Sequence, residues 1–317
     1  MRTPGCLAKP PPNRIPPMWF KNLSLLRLPP DFALDATQLE EALAASPLRS
    51  PGPLEPETRG FLSPFSREDA GYTHGSGDAL LFCLGQEARL LPSSVLRDAV
   101  SARIAEHEAK TGRKPGKRLR NEFREAALGE LLPRAFIRRT RVGAYWDGPT
   151  RLLAVDSGSD RGAEAVATAL REALGSFPAR PLATEASIAL LLSEWLVSGQ
   201  LPAGFELGDE CELKDPSDQV SVVRCRHHDL SADEVREHAR CGKQVTQLGL
   251  VYEGRIGFVL DTKAKLRKLK FLDIIADQLD RQDGADEETV LDAEFALMSL
   301  ELRRLYTRLD DVLRFVD

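Results

Sequence analysis

The chain has 317 residues, with 43 Lys and Arg against 48 Asp and Glu, for a net charge of -5. With 42% hydrophobic and 29% charged residues it reads as a globular protein of two or three domains, which excludes a disordered or low-complexity chain. Its densest apolar run, Ile188–Leu192, is far too short to cross a bilayer, and five scattered cysteines without a CxxC fit reduced thiols better than a disulfide framework.

Residues 1–17 are rich in proline and have no hydrophobic period, so a disordered leader is expected, with Met18 as the natural start. MWFKNLSLLRL opens the fold as a first strand, and Ala36–Ala45 reads as a short helix. Residues 46–78, rich in Pro, Gly and Ser, read as an irregular connection that includes the loop GYTHGSG. Ala79–Leu84 is an apolar strand, which Gly85-Gln86 is expected to turn toward a partner near Ala88–Leu91. Leu96, Val100 and Ile104 predict a helix with a buried stripe, broken by Gly112–Gly116. A second helix follows, with Leu119, Phe123, Ala127 and Leu131 inward and Lys117, Arg120 and Arg124 outward. Together the two predict a helical hairpin with a basic outer side, able to project from a body.

Ala135–Trp146 and Arg151–Asp156 then read as strands, and two helices follow, around Val166–Leu174 and Ile188–Trp195. Phe205–Leu213 and Val220–Arg226 are expected strands. Ser231-x-x-Glu234 has the form of a capping box, with Leu230 and Val235 as its staple and Gly242 at the C-cap. Val245–Tyr252 and Arg255–Asp261 form a hairpin around Glu253-Gly254. The chain closes on an acidic segment, Asp273–Glu288, and a helix striped by Phe295, Met298, Leu302, Leu305 and Leu309. The mixture predicts an α+β fold: mixed sheets with packed helices and a projecting basic helical hairpin. Residues 18–92 and 133–180 would form a central body, 93–132 a helical tip, and 181–317 a second α+β domain.

Charge is the most informative functional signal. Between Arg103 and Arg141 twelve cations face five glutamates, a net of +7 inside an acidic chain. Such clustering repels itself unless a polyanion neutralises it, and nucleic acid is the usual one. A second run, KAKLRKLK at Lys263–Lys270, places five cations in eight residues. The candidate DNA contacts are Lys117, Arg118, Arg120, Arg124, Arg134, Arg138, Arg139 and Arg141, then Lys263, Lys265, Arg267, Lys268 and Lys270. Arginines without interleaved aromatics favour duplex phosphates over stacked single strands. A solvated helical face would have the same composition.

Other chemistry is weakly marked. Cys225-x-His227 and His238-x-x-Cys241 are a conceivable zinc set, but not at finger spacing. Asp156, Asp209, Glu210 and Glu212 are a conceivable two-metal nuclease set that no short motif ties together. GxSxG and Walker-type phosphate loops are absent. The reading is of a non-enzyme with no catalytic residues, no cofactor, no metal and no membrane partner.

MWFKNL (Met18–Leu23), LLPSSVL (Leu90–Leu96), LLPRAFIR (Leu131–Arg138), GFELGDECELK (Gly204–Lys214), DLSADEV (Asp229–Val235) and RKLKFLD (Arg267–Asp273) resemble, in order, the recombination-associated RdgC family. The resemblance implies a cytoplasmic, nucleoid-associated protein that binds double-stranded DNA with little sequence preference. It implies a ring-forming homodimer around a basic hole, and restraint of RecA-mediated strand exchange. It places Phe136 in a subunit contact. It also sets His227 and His228 at the facing contact, where relatives have a Lys-Gln pair, so ring closure is expected to respond to pH. A direct RecA-interacting regulator and a metal-dependent nuclease are the rival expectations.

Overall fold

The structure is a computed structural model describing residues 19–65, 71–217, 220–272 and 287–316. The expected disordered leader, Met18 and the acidic stretch Asp273–Asp286 lie outside these residues. Two antiparallel sheets carry the fold. The first is built from β1 (Ser24–Arg27), β2 (Glu57–Leu62), β3 (Thr73–Ser76), β4 (Ala79–Leu90), β5 (Phe136–Asp147), β6 (Leu152–Val155) and β7 (Arg180–Pro181). Their order is β2-β4-β5-β6-β1-β7, with β3 also paired to β4. Along the same stretch run the helices α1 (Ala36–Ala44), α2 (Ser93–Thr111), α3 (Lys117–Leu131) and α4 (Asp160–Leu174).

The second part begins with the short β8 (Ala183–Thr184) and α5 (Ile188–Ser198), then β9 (Phe205–Lys214), β10 (Val222–Arg226) and α6 (Asp233–Arg240). It continues through β11 (Gln244–Tyr252), β12 (Ile256–Asp261) and β13 (Leu266–Phe271) to the long helix α7 (Glu287–Leu313) and β14 (Phe315–Val316), which pairs with β8. The second sheet has the order β10-β9-β11-β12-β13. No helix among the described residues is long and apolar enough to cross a membrane.

Strand alternation gives the first sheet two apolar faces. Phe82, Leu84, Ala144, Trp146 and Leu153 pack with Leu39 and Leu43 of α1 and with Val166 and Leu170 of α4. Ala79, Leu81, Tyr145 and Ala154 face the other way, into a larger core shared with the second sheet, α5 and α7. That core draws on residues from both sides of residue 181. The stripe of α7 is buried as its spacing predicts, from Phe295 to Leu309. Polar ties hold the same helix to both sheets: Arg303 donates to Asp147 on β5 at 2.6 Å, and Glu301 accepts from Arg255 beside β12 at 2.7 Å.

Several local expectations differ from the structure. Residues 46–78 contain β2 and β3, although glycines and an exposed edge hide their alternation. Gly85 makes no turn; it sits within the continuous β4, opposite Gly60. A Cβ on Gly85 would fall 2.6 Å from Leu62 Cδ1, so close packing accounts for this glycine. The stripe of α2 is only partly buried, and none of that helix's residues is fully covered. The capping box does not form: α6 starts after Ala232, Ser231 Oγ donates to Asp229 at 2.6 Å, and Glu234 pairs with His228. Its staple does form, because Leu230 and Val235 are both buried. Gly242 follows the C-cap Cys241 by one residue, at positive φ.

Candidate nucleic-acid interface

β4 and β5 pair over their whole length, from Ala79 opposite Asp147 to Leu90 opposite Phe136. β6 covers only Ala144–Asp147 of β5, so the Phe136–Val142 half has no neighbouring strand on that side. The helices α2 and α3 are inserted at the far end, between Leu90 and Phe136. They pack on one another: Arg103 donates to the Phe123 carbonyl at 3.2 Å and pairs with Glu130 at 2.6 Å, and His107 meets the Phe123 ring. In α3 only Ala127 is fully buried.

Arg89 holds the root of this insertion. Its guanidinium donates to the carbonyls of Pro51 (3.2 Å), Gly52 (3.2 Å), Leu132 (3.1 Å) and Pro133 (3.3 Å). One side chain therefore joins the 51–52 loop to the turn that leaves α3. A bidentate Arg49–Glu55 pair closes the same loop and holds the Glu55 carboxyl well below its usual range, at about 2.

The cations of the first run differ in how they are held. Lys117, Arg124, Arg134 and Arg138 are exposed and have no hydrogen-bond or ion-pair partner among the described residues. Arg118 pairs with Glu122 in the helical i,i+4 register, and Arg120 donates to the Pro115 carbonyl. At 3.6 residues per turn Lys117, Arg120 and Arg124 fall within about 60° of one another, on one helix face. On β5, Phe136 and Arg138 share one strand face while Arg139 and Arg141 share the other. Arg139 is fixed by the buried Glu87 directly across the ladder, through Nε at 2.8 Å and through Nη2. Its guanidinium holds the Glu87 carboxyl below the ordinary range. Arg141 donates to the Ser63 carbonyl at 2.6 Å. Phe136 is 85% exposed, with Leu90 and Ile137 also exposed beside it. Arginines on an uncovered strand edge also discourage edge-to-edge aggregation, a second physical reason for their presence here.

The second run is mostly paired with carboxylates of the protein itself. Lys263 and Lys265 both reach Asp160 at the start of α4, at 2.6 and 2.5 Å. Lys265 is only 7% exposed, so the structure withdraws it from any solvent-facing set. Arg267 pairs with the buried Asp261 at 2.9 Å and Lys268 with Glu210, which leaves Lys270 exposed without a direct partner among the described residues. Two lysines together drive the Asp160 carboxyl down to about 2.

The rival chemistries do not assemble. His227 holds Asp209 at 2.9 Å, His228 holds Glu234 at 3.0 Å, and the Cys241 thiol lies against Glu237. Asp156 accepts the backbone N–H groups of Lys21 and Asn22, and burial raises its pKa. Glu210 and Glu212 are occupied by Lys268, Arg224 and Lys214. Among the described residues no three His, Cys, Asp or Glu side chains converge to hold a metal ion.

An antiparallel α/β protein with a cationic insertion on a long strand pair is thus the class defined by fold and surface. The profile of one family, described as "Putative exonuclease, RdgC", matches residues 18–315. The recombination-associated protein RdgC of Xanthomonas campestris pv. campestris (strain B100) is 42% identical over 298 residues, covering 94% of this chain and 98% of its own. Its namesake in Xylella fastidiosa (strain 9a5c) is 42% identical over 294 residues, covering 92% and 97%. The chain belongs to the RdgC family, and a recombination-associated role follows from that membership.

Proposed function

We propose that this protein binds double-stranded DNA without sequence preference, as a homodimeric ring that encircles the duplex in the nucleoid and limits its use by RecA. The observation that carries the reading is the set of exposed cations without a partner among the described residues, Lys117, Arg124, Arg134 and Arg138, which runs along α3 and into β5, where Arg138 shares a strand face with the exposed Phe136. The α2–α3 insertion acts as a projecting basic arm, and its arginines meet phosphates, which give affinity without base readout. Phe136 enters the second subunit, and His227 and His228 lie at the facing contact. Covering one exposed phenylalanine contributes about 1.5–3 kcal/mol. Binding driven by counterion release gives a log affinity that falls linearly with log salt, at about -0.9 per phosphate neutralised. A salt titration by fluorescence anisotropy on two unrelated duplexes tests this; a flat response, or slopes set by sequence, would sink the reading.

The word exonuclease in the family description names a second reading, although its candidate carboxylates Asp156, Asp209, Glu210 and Glu212 do not converge among the described residues. Incubation with linear and supercoiled DNA and Mg²⁺ or Mn²⁺ separates the two: a binder shifts the bands, whereas a nuclease shortens or nicks them. A direct regulator of RecA would still inhibit strand exchange with the basic arm neutralised.

A further inference from the structure

Cys211 on β9 and Cys225 on β10 stand directly opposite one another in the antiparallel ladder. Both are free thiols and both turn toward the larger core, Cys211 buried and Cys225 partly covered. Burial, together with the neighbouring Cys225 sulfur, pushes the Cys211 thiol up to about 12. Directly opposed residues in such a ladder hold their Cα atoms about 4.5 or 5.5 Å apart. Both values fall inside the roughly 4.4–6.8 Å that a disulfide spans.

We propose that Cys211 and Cys225 form a dithiol that a hydroperoxide closes into a cross-strand disulfide, clamping the edge strand that leads into His227 and His228. Cys225 is the more accessible sulfur and reacts first. Its thiolate attacks the peroxide, the O–O bond breaks, and a sulfenic acid forms as the alcohol or water leaves. The Cys211 sulfur then attacks Cys225, the S–O bond breaks, and the Cys211 proton departs with the hydroxyl as water. Two thiols and one peroxide give one disulfide, one alcohol (or water) and one water. Directly opposed Cβ atoms, about 4.5–5.5 Å apart, lie at or beyond the upper limit of about 4.5 Å for a disulfide, so the two strands must draw together there and the bond is strained and readily reduced again by a small thiol.

Among the described residues β10 is the outer strand of its sheet, paired with β9 alone. His227 follows it at once, in a left-handed backbone conformation. Closing the bond fixes this strand end and slows opening of the 226–228 loop. That consequence for subunit contact rests on the function proposed above; the disulfide itself rests on the fold alone.

The test treats the native full-length protein with stoichiometric hydrogen peroxide, blocks remaining thiols in denaturant, and maps the peptides by mass. The expected product is a linked Cys211–Cys225 pair, lost in Cys225→Ser and reversed by dithiothreitol. Backbone amides of 222–228 should then exchange about tenfold more slowly. Recovery of Cys225 as sulfinic acid or linked to Cys241, with Cys211 still free, overturns the proposal. Linkage that leaves exchange of labelled subunits unaltered overturns the regulatory step alone. The salt titration, run on reduced protein, judges the DNA-binding reading independently.

Discussion

The two basic runs look alike as sequence, yet they meet different fates. In Lys263–Lys270 four of the five cations end on Asp160, Asp261 or Glu210, and their charge stitches α4 to the second sheet. In Arg103–Arg141 the carboxylates are too few, and the chain folds so that Lys117, Arg124, Arg134 and Arg138 stay exposed and unpaired among the described residues. A run of like charge says that counter-ions are needed. Whether the protein or a ligand supplies them depends on long-range contacts, such as those of Asp160, which lies 103 residues from Lys263.

Replacing Lys117, Arg124, Arg134 and Arg138 together by alanine is the strongest way to break this comparison. The salt slope of duplex binding should fall by about 0.9 for each phosphate that is no longer neutralised, roughly 3.6 if all four engage. The same treatment of Lys263, Arg267 and Lys268 should leave the slope nearly unaltered. Phe136→Ala should come next: subunit association, followed by sedimentation, weakens by about 1.5–3 kcal/mol per phenylalanine removed, while unfolding of the monomer does not change. Arg267→Ala leaves Asp261 buried with only backbone partners and should lower stability in urea by about 1–3 kcal/mol. Arg138→Ala, exposed and unpaired, should stay within about 0.5 kcal/mol of the parent.

The smallest effect is a matter of pH. Asp160 titrates lower in the folded protein than in the free chain, so its contribution is present above its ordinary value of 3.8 and is lost as pH falls through about 2. Asp160→Asn should therefore melt slightly below the parent at pH 5 and level with it near pH 2. Solvent screening keeps the difference under about 1 kcal/mol, since Asp160 is largely exposed.

Much of the second half is readable directly. The stripe of α7 and the Glu253-Gly254 turn, with both residues at positive φ, follow from local pattern alone. The misreadings share one cause: a local signal with two physical meanings. Gly85 could mark a turn or a close approach, and only the neighbouring Leu62 and Leu48 decide. Ser231-x-x-Glu234 could cap a helix, but Asp229 and His228 bind those side chains first. At the candidate interface the cations are visible in sequence. The carbonyl fork made by Arg89 and the buried anchor Glu87 are not, because each depends on strands brought together from distant segments. A buried glutamate facing an arginine across a ladder leaves no sequence trace that sets it apart from Gln86 and Arg89 in the same strand.

The chain enters and leaves the α2–α3 insertion through a single opposed pair, Leu90 and Phe136. Excising everything between them and splicing in a two-residue turn would close an ordinary β-hairpin with every rung beneath it intact. The insertion is therefore a detachable module, free to lengthen, shrink or change its charge without renegotiating the scaffold that bears it.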